Sequence, residues 1–265
     1  MPFITLTTDL GYKDYYLAVV KGTIYSQLPG VNIVDITHAI PAFDLLKTSI
    51  VIKNSFHTFP KGTVHIIGVN VEGDLENPLL AAFYNNHYFI AADNGILSLI
   101  FEKKPDKIVT IALPETSLSS SFLTKDVLVK AACYLAKGGS IELLGPEAKE
   151  YVTRTVFTPV TEDNALKGMV TYIDHYGNLI TNITQNQFKE FTKGRPFNIY
   201  LRGSEYLIDK ISDIYNNVVE GEIVALFSSS GTLEIAINKG SAKGLLGLEI
   251  GSVIRIELLA WLYVL

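Results

Sequence analysis

Cysteine is almost missing from this chain: Cys133 is the only one in 265 residues. One thiol excludes an internal disulfide and a thiolate metal site, and it fits a reducing compartment. The five histidines, His38, His57, His65, His87 and His175, have no close ligand spacing, so no metal is expected. Neither a Gly-x-Gly-x-x-Gly turn after the first strand-like run nor a Gly-Lys-Ser/Thr loop is present. That removes the common dinucleotide and phosphate-loop signatures. Positive charge is also short. Lys and Arg number 22 against 27 Asp and Glu, a formal net charge of −5, and no basic cluster offers a groove to nucleic acid. The apolar tail Leu258-Leu259-Ala260-Trp261-Leu262-Tyr263-Val264-Leu265 is too short to span a bilayer and reads as a final strand or a subunit contact. Met1 leads straight into a strand-like run, with no leader pattern. The expectation is a soluble, cytoplasmic protein whose partners include neither nucleic acid nor membrane.

What is present is apolar and regular. Hydrophobic residues make up 48% of the sequence, and the length exceeds what one compact core usually takes, so two domains are expected. In the first part, strand-like runs at Phe3–Thr8, Val31–Ile36, Thr63–Asn70 and Ile108–Ile111 alternate with helical spacing at 17–28, 43–56 and 125–135. Asn85-Asn86 between Ala81–Tyr84 and Tyr88–Ala92 is a hairpin signal. The nearly all-apolar Thr63–Asn70 run is of the kind buried on both faces of a parallel sheet. This alternation predicts an α/β domain with a mainly parallel sheet over 1–160. From Val156 to Lys167 the chain turns polar and aperiodic. Short β segments follow at Gly168–Tyr172, Leu179–Ile183, Phe197–Leu201, Glu222–Phe227, Thr232–Ile237 and Val253–Glu257, with no long helix pattern between them. They predict an antiparallel β-barrel domain over 165–265.

The first chemical signal is Thr8-Asp9-Leu10-Gly11, where a β-rich run ends in a carboxylate and a glycine before a helical pattern takes over. Ligand sites of open α/β sheets lie at the carboxyl ends of strands. An ionised carboxylate there accepts hydrogen bonds from two hydroxyls and suits a ribose diol. Equally, Asp9 caps the next helix. Asp93-Asn94-Gly95 reads as a turn and helix start, and His38 and His175 read as structural.

Several stretches, in order, resemble the S-adenosylmethionine (SAM) hydroxide adenosyltransferases, relatives of the fluorinase and chlorinase enzymes. They are Thr8-Asp9-Leu10-Gly11 with Asp14; Ile33-Val34-Asp35-Ile36-Thr37-His38 running to Phe43-Asp44; and Ala92-Asp93-Asn94-Gly95-Ile96-Leu97. Further on come Ile173-Asp174-His175-Tyr176-Gly177-Asn178-Leu179 and Ser228-Ser229-Ser230-Gly231-Thr232-Leu233-Glu234-Ile235-Ala236-Ile237-Asn238. The resemblance implies an α/β domain followed by a β-barrel, a homotrimer, and a SAM or adenosine site between one subunit's first domain and a neighbour's second. It also implies roles: Asp9 holding the ribose, Asp14 among the substrate-binding residues, Phe43 lining the ribose or methionine pocket, Asp174 and Ser229 holding the methionine ammonium and carboxylate. Tyr176 and Tyr215 would flank the adenosine, with Asn178 and the backbone around Asn238 reading the adenine. No cofactor is implied beyond SAM as substrate or ligand.

One part of the pattern breaks. Hydrolases of the family resemble one another in an Asp, Arg and His set that positions the attacking water. Here Asn70 replaces the aspartate, 71–78 carries no arginine, and Leu123 replaces the histidine in Ser121-Phe122-Leu123-Thr124. Asn70 does not ionise and Leu123 has no proton to exchange, so no general base comes from these positions. Three readings stay open. The chain hydrolyses SAM to adenosine and L-methionine, with water held by Asn70, Thr124 and an acid from Glu72, Asp74 or Glu76. It binds SAM or adenosine without turnover. Or it transfers the adenosyl group to a halide, with Thr124 as donor.

Overall fold

The computed structural model describes residues 2–72, 77–113, 120–202 and 205–259. The chain divides into two compact units, Met1–Thr155 and Val156–Leu265.

In the first unit, β1 (Phe3–Thr8), β2 (Asn32–Thr37), β3 (Val64–Gly68), β4 (Leu79–Tyr84), β5 (His87–Ala92) and β6 (Lys107–Thr110) form one sheet in the order β2-β1-β3-β5-β4-β6. The β1–β2, β1–β3 and β3–β5 pairs are parallel, while β4 runs antiparallel to β5 and β6. Alternate residues of β3 serve opposite faces, as its continuous apolar run predicts. Ile66 packs in a cluster with residues of α1 (Tyr16–Gln27) and α4 (Val129–Ala136), and Ile67 in another with residues of α2 (Leu45–Lys53) and α3 (Ile96–Ile100). The expected α/β domain with a mainly parallel sheet is present.

Two helices begin elsewhere than their spacing implies. Asp44 accepts from the Lys47 N–H at 2.9 Å and starts α2 one residue after Phe43, which lies outside it. Thr124–Leu128 forms a widened turn, the Val129 N–H donating to the Thr124 carbonyl, before α4. Such i→i+5 turns are rare and frequently sit at functional sites.

The second unit is an antiparallel barrel-like sheet. Its strands are β7 (Val160–Glu162), β8 (Ala165–Ile173), β9 (Leu179–Thr184), β10 (Phe197–Leu201), β11 (Tyr206–Ile208), β12 (Ile223–Phe227), β13 (Thr232–Ile237) and β14 (Val253–Leu258), in the order β11-β10-β14-β8-β9-β13-β12 with β7 on β8. The Ser212 N–H, just past β11, donates to the Ala225 carbonyl of β12 at 2.8 Å and draws the open edges together. Leu179, Ile183, Leu233, Ile235 and Ile254 fill the interior. The predicted barrel is present.

Four elements of this unit went unpredicted, β11 among them. Val160–Glu162, within the stretch that reads as aperiodic, is a strand that hairpins onto β8. Gln185–Thr192 is a helix, α5, begun by a reciprocal box in which Thr184 accepts from the Gln187 N–H and Gln187 returns a bond to the Thr184 N–H. A short helix, α6 (Ala242–Leu246), starts at Ser241. Among the described residues no helix is long and apolar enough to cross a membrane. Of the apolar tail, Leu258 ends β14 and 260–265 lie outside the described residues.

Candidate ligand-binding site

Asp9 follows the last residue of β1, at the carboxyl end of the parallel strands. Its Oδ2 accepts from the Phe43 N–H at 3.0 Å and the Asn70 N–H at 3.4 Å. It does not cap the next helix, whose N-cap is Tyr15 with no side-chain bond. Both residues it clasps have left-handed backbones, Phe43 at φ 67° and Asn70 at φ 49°. For phenylalanine this conformation costs about 1–2 kcal/mol, and Phe43 is nevertheless 67% exposed, so no packing of its ring into the unit offsets the cost. Bulky residues are held in this region where the surrounding structure over-determines them, most often around sites. Two backbone donors do not exhaust a carboxylate, which has about four acceptor positions.

The neighbours are built tightly. Asn94, predicted as structural, donates from Nδ2 to the carbonyls of Val69 and Asn70 at 3.2 and 3.0 Å and so fixes the end of the β3 segment. Its own carbonyl receives the Arg154 Nε–H at 2.7 Å. A Cβ on Gly68 would lie 3.0 Å from Thr124 Cγ2 and 3.1 Å from Thr8 Cγ2, so Gly68 lets the two threonines close over the strand end. Thr124 is buried at the start of the widened turn. Leu123 is buried in the same apolar cluster as Ile66. Asp14 is exposed in the bend before α1, and Glu72 is exposed; Asp74 and Glu76 lie outside the described residues.

His38 is structural here. It is fully buried, its Nδ1 2.8 Å from Thr8 Oγ1 and its Nε2 3.1 Å from Asp35 Oδ1, without the alignment of a full hydrogen bond. Burial would raise Asp35, but Lys21 at 2.5 Å and His38 hold its carboxyl below the usual value.

In the second unit the Asp174–Asn178 turn joins β8 to β9. Asp174 Oδ1 accepts from the Asn178 N–H at 2.8 Å and Oδ2 from Asn178 Nδ2 at 3.0 Å. Gly177 has φ 84°, and a Cβ there would meet Ser241 Oγ at 2.1 Å, so only glycine lets the turn sit on the start of α6. Tyr176 points out, 75% exposed, and His175 lies edge-on to it. Ser229 is exposed at the tip of the β12–β13 hairpin, beside a hydroxyl cluster formed by Ser228, Ser230 and Thr232.

Between these two loops lies the outer face of the sheet. Ile180 stands opposite Tyr172 on one side and Glu234 on the other. A register shift between Val170 and Tyr172 turns Tyr172 outward, whereas Val170 faces the core. The segment 212–218 crosses this face. The Tyr215 hydroxyl donates to Glu234 Oε1 at 2.8 Å, and Asn238 Nδ2 donates to the Val218 carbonyl at 2.8 Å. Asn238 is otherwise committed as well, its N–H to the Glu222 carbonyl and its carbonyl to the Gly221 N–H. Burial, then the Glu234 bond, push the Tyr215 hydroxyl up to about 12. Burial also raises the Glu234 carboxyl; the Tyr215 bond works against it and nearby Asp174 with it.

The structure therefore gathers Asp9, Phe43, Asn70 and Thr124 around one set of strand ends, and Asp174, Tyr176 and Asn178 in one turn. Tyr215 and Asn238 meet through the 212–218 segment, and Ser229 stands at the far end of β13 from Asn238. Glu234 escaped sequence reasoning; the one signal was a carboxylate among apolar neighbours in Leu233-Glu234-Ile235. No group of three or more His, Cys, Asp or Glu able to hold a metal occurs among the described residues.

Two family models match the sequence: the SAM hydroxide adenosyltransferase N-terminal domain over residues 4–145, and its C-terminal domain over 168–255. The chain belongs to the SAM hydroxide adenosyltransferase family. Among curated members and relatives, it is 28% identical to the (R)-S-adenosyl-L-methionine hydrolase of Thermus thermophilus, covering 94% of this chain and 97% of that one. It is 27% identical to the enzyme of the same name from Methanocaldococcus jannaschii, covering 94% and 93%. A fluorinase of Nocardia brasiliensis is 25% identical over 97% of both. Among solved structures, an uncharacterized conserved protein from Thermotoga maritima superposes with a TM-score of 0.86 at 27% identity, covering 97% of this family member and 99% of that chain.

Proposed function

We propose that this protein binds S-adenosylmethionine and transfers its 5′-adenosyl group to water, giving adenosine and L-methionine. The observation that carries the reading is the Asp9 clasp: a carboxylate at the strand ends holding two strained backbones, one bearing an exposed phenylalanine. Asp9 takes the ribose hydroxyls, and Phe43 lies along the sugar or the methionine chain. The family resemblance assigns Asn178, Tyr176 and Tyr215 to the adenosine, Asp174 to the methionine ammonium and Ser229 to its carboxylate. The family resemblance adds a homotrimer in which first and second units of neighbouring copies share each site, and a cytoplasmic setting with no further cofactor.

In the reaction the water oxygen bonds to the 5′ carbon as the carbon–sulfur bond breaks. The pair goes to sulfur, and the surplus proton leaves the new hydroxyl for solvent. A sulfonium is a good leaving group, so in-line placement and exclusion of bulk water are the main requirements. Asn70 and Thr124 place the water. Incubation of the protein with SAM should release adenosine, read by chromatography; with SAM bound and no adenosine released, turnover is ruled out.

A second reading has its own observation. Leu123 is not merely a different residue at the histidine position but is buried in the apolar core, which favours a binder of SAM or adenosine without turnover. Halide transfer comes third, and appearance of a 5′-halogenated adenosine on adding chloride or fluoride would establish it.

A further inference from the structure

We propose that Glu234 is a positioning residue that, with Asn238, holds the 212–218 segment on the sheet and so sets the Tyr215 ring toward the ligand. The proposal rests on the reading of Tyr215 as an adenosine-flanking aromatic. Glu234 is 4% exposed and lies on the outer face of β13, away from the barrel interior. A carboxylate is rarely enclosed in this way unless paired, and its partner is the Tyr215 hydroxyl at 2.8 Å. Tyr215 itself is 43% exposed, so its hydroxyl is anchored while part of its ring stays open to a ligand. Asn238 grips the same segment through the Val218 carbonyl, and Ser212 tethers its other end to Ala225. Asn217 closes the turn by accepting from the N–H groups of Asp213 and Ile214 at 3.1 and 3.2 Å. Three anchors on seven residues are more than a simple connection between β11 and β12 requires. They fix the one aromatic side chain that the segment presents.

The test measures adenosine affinity by calorimetry in wild type, Glu234→Ala, Glu234→Gln and Tyr215→Phe, with hydrogen exchange of residues 212–218 in each. Loss of one hydrogen bond to a charged group should weaken adenosine on the order of tenfold and speed segment exchange similarly in Glu234→Ala. Glu234→Gln keeps an acceptor oxygen and should restore both to within about twofold of wild type. Tyr215→Phe should weaken adenosine like Glu234→Ala, and the double variant should be no worse than either single one. Unchanged affinity in Tyr215→Phe, or additive losses in the double variant, would overturn the proposal. So would exchange of 212–218 that ignores residue 234. Should Glu234→Ala fail to fold, Tyr215→Phe and Glu234→Gln still decide. Wild-type protein that binds neither adenosine nor SAM defeats the functional reading instead, and the exchange arm then judges the anchoring by itself.

Discussion

The two candidate clusters, one in each unit, use carboxylates in opposite ways. In the first unit Asp9 stands at the strand ends and spends one oxygen on the backbone N–H groups of Phe43 and Asn70, holding loops whose own conformations are unfavourable. In the second unit Glu234 is enclosed and holds a side chain, while Asp174 ties up its own turn through Asn178. The first arrangement stores strain in the backbone; the second relies on anchored side chains over a regular sheet. Binding groups at strand ends need a residue that locks loops in place, whereas a sheet face is already rigid and needs only a cover.

The largest expected effect separates the units by pH. His65 is buried against Thr5 and His87, and burial first, then His87, hold it down to about 3 from an ordinary 6.5. Below that ordinary value the unfolded chain takes a proton the folded one refuses. Stability of the first unit is therefore full above it and falls as pH drops toward about 3, by several kcal/mol from His65 alone; the raised Asp93 offsets part of this. Glu234 has the opposite sign. Its raised carboxyl contributes full stability below the ordinary 4.5, lost as pH rises toward its folded value. Hydrogen-exchange protection compared at about pH 7 and about pH 5 should fall in Val64–Gly68 and hold in Thr232–Ile237. Equal losses in both strands would erase the contrast.

Asp174→Ala removes the acceptor for two Asn178 donors and the charge assigned to the ligand ammonium. SAM affinity should drop about tenfold more than adenosine affinity, since adenosine has no ammonium; equal losses would make Asp174 only a turn residue. Thr184→Ala breaks the box that starts α5 and should cost about 1 kcal/mol in denaturant unfolding, with ligand affinity unchanged. Phe43→Gly should do the reverse: relief of the left-handed backbone stabilises the protein by about 1 kcal/mol, while adenosine binds more weakly. If that variant is destabilised, the strain assigned to Phe43 is not there.

Strands and their layering were legible because burial writes directly into the sequence. Thr63–Asn70 must lie inside a sheet, and the short β segments after Gly168 must alternate faces. The Asp9 signal was legible because a strand, an acid and a glycine fall together in Thr8-Asp9-Leu10-Gly11. What Asp9 grips was not, since Phe43 and Asn70 are 34 and 61 residues away in sequence. The helix α5 was missed although Thr184 and Gln187 mark its start, because eight residues hold only two apolar turns, Phe188 and Phe191. The register shift at Thr171 and the cover over Glu234 arise from pairing between distant strands, which no local pattern records.

The central claim is that the strand-end carboxylate of the first unit binds a ribose. Calorimetric titration of adenosine into wild type and Asp9→Ala tests it most directly. The account predicts measurable binding in wild type and at least about a hundredfold loss in the variant, the equivalent of two hydrogen bonds to a charged group. Equal affinity in the two proteins would contradict it.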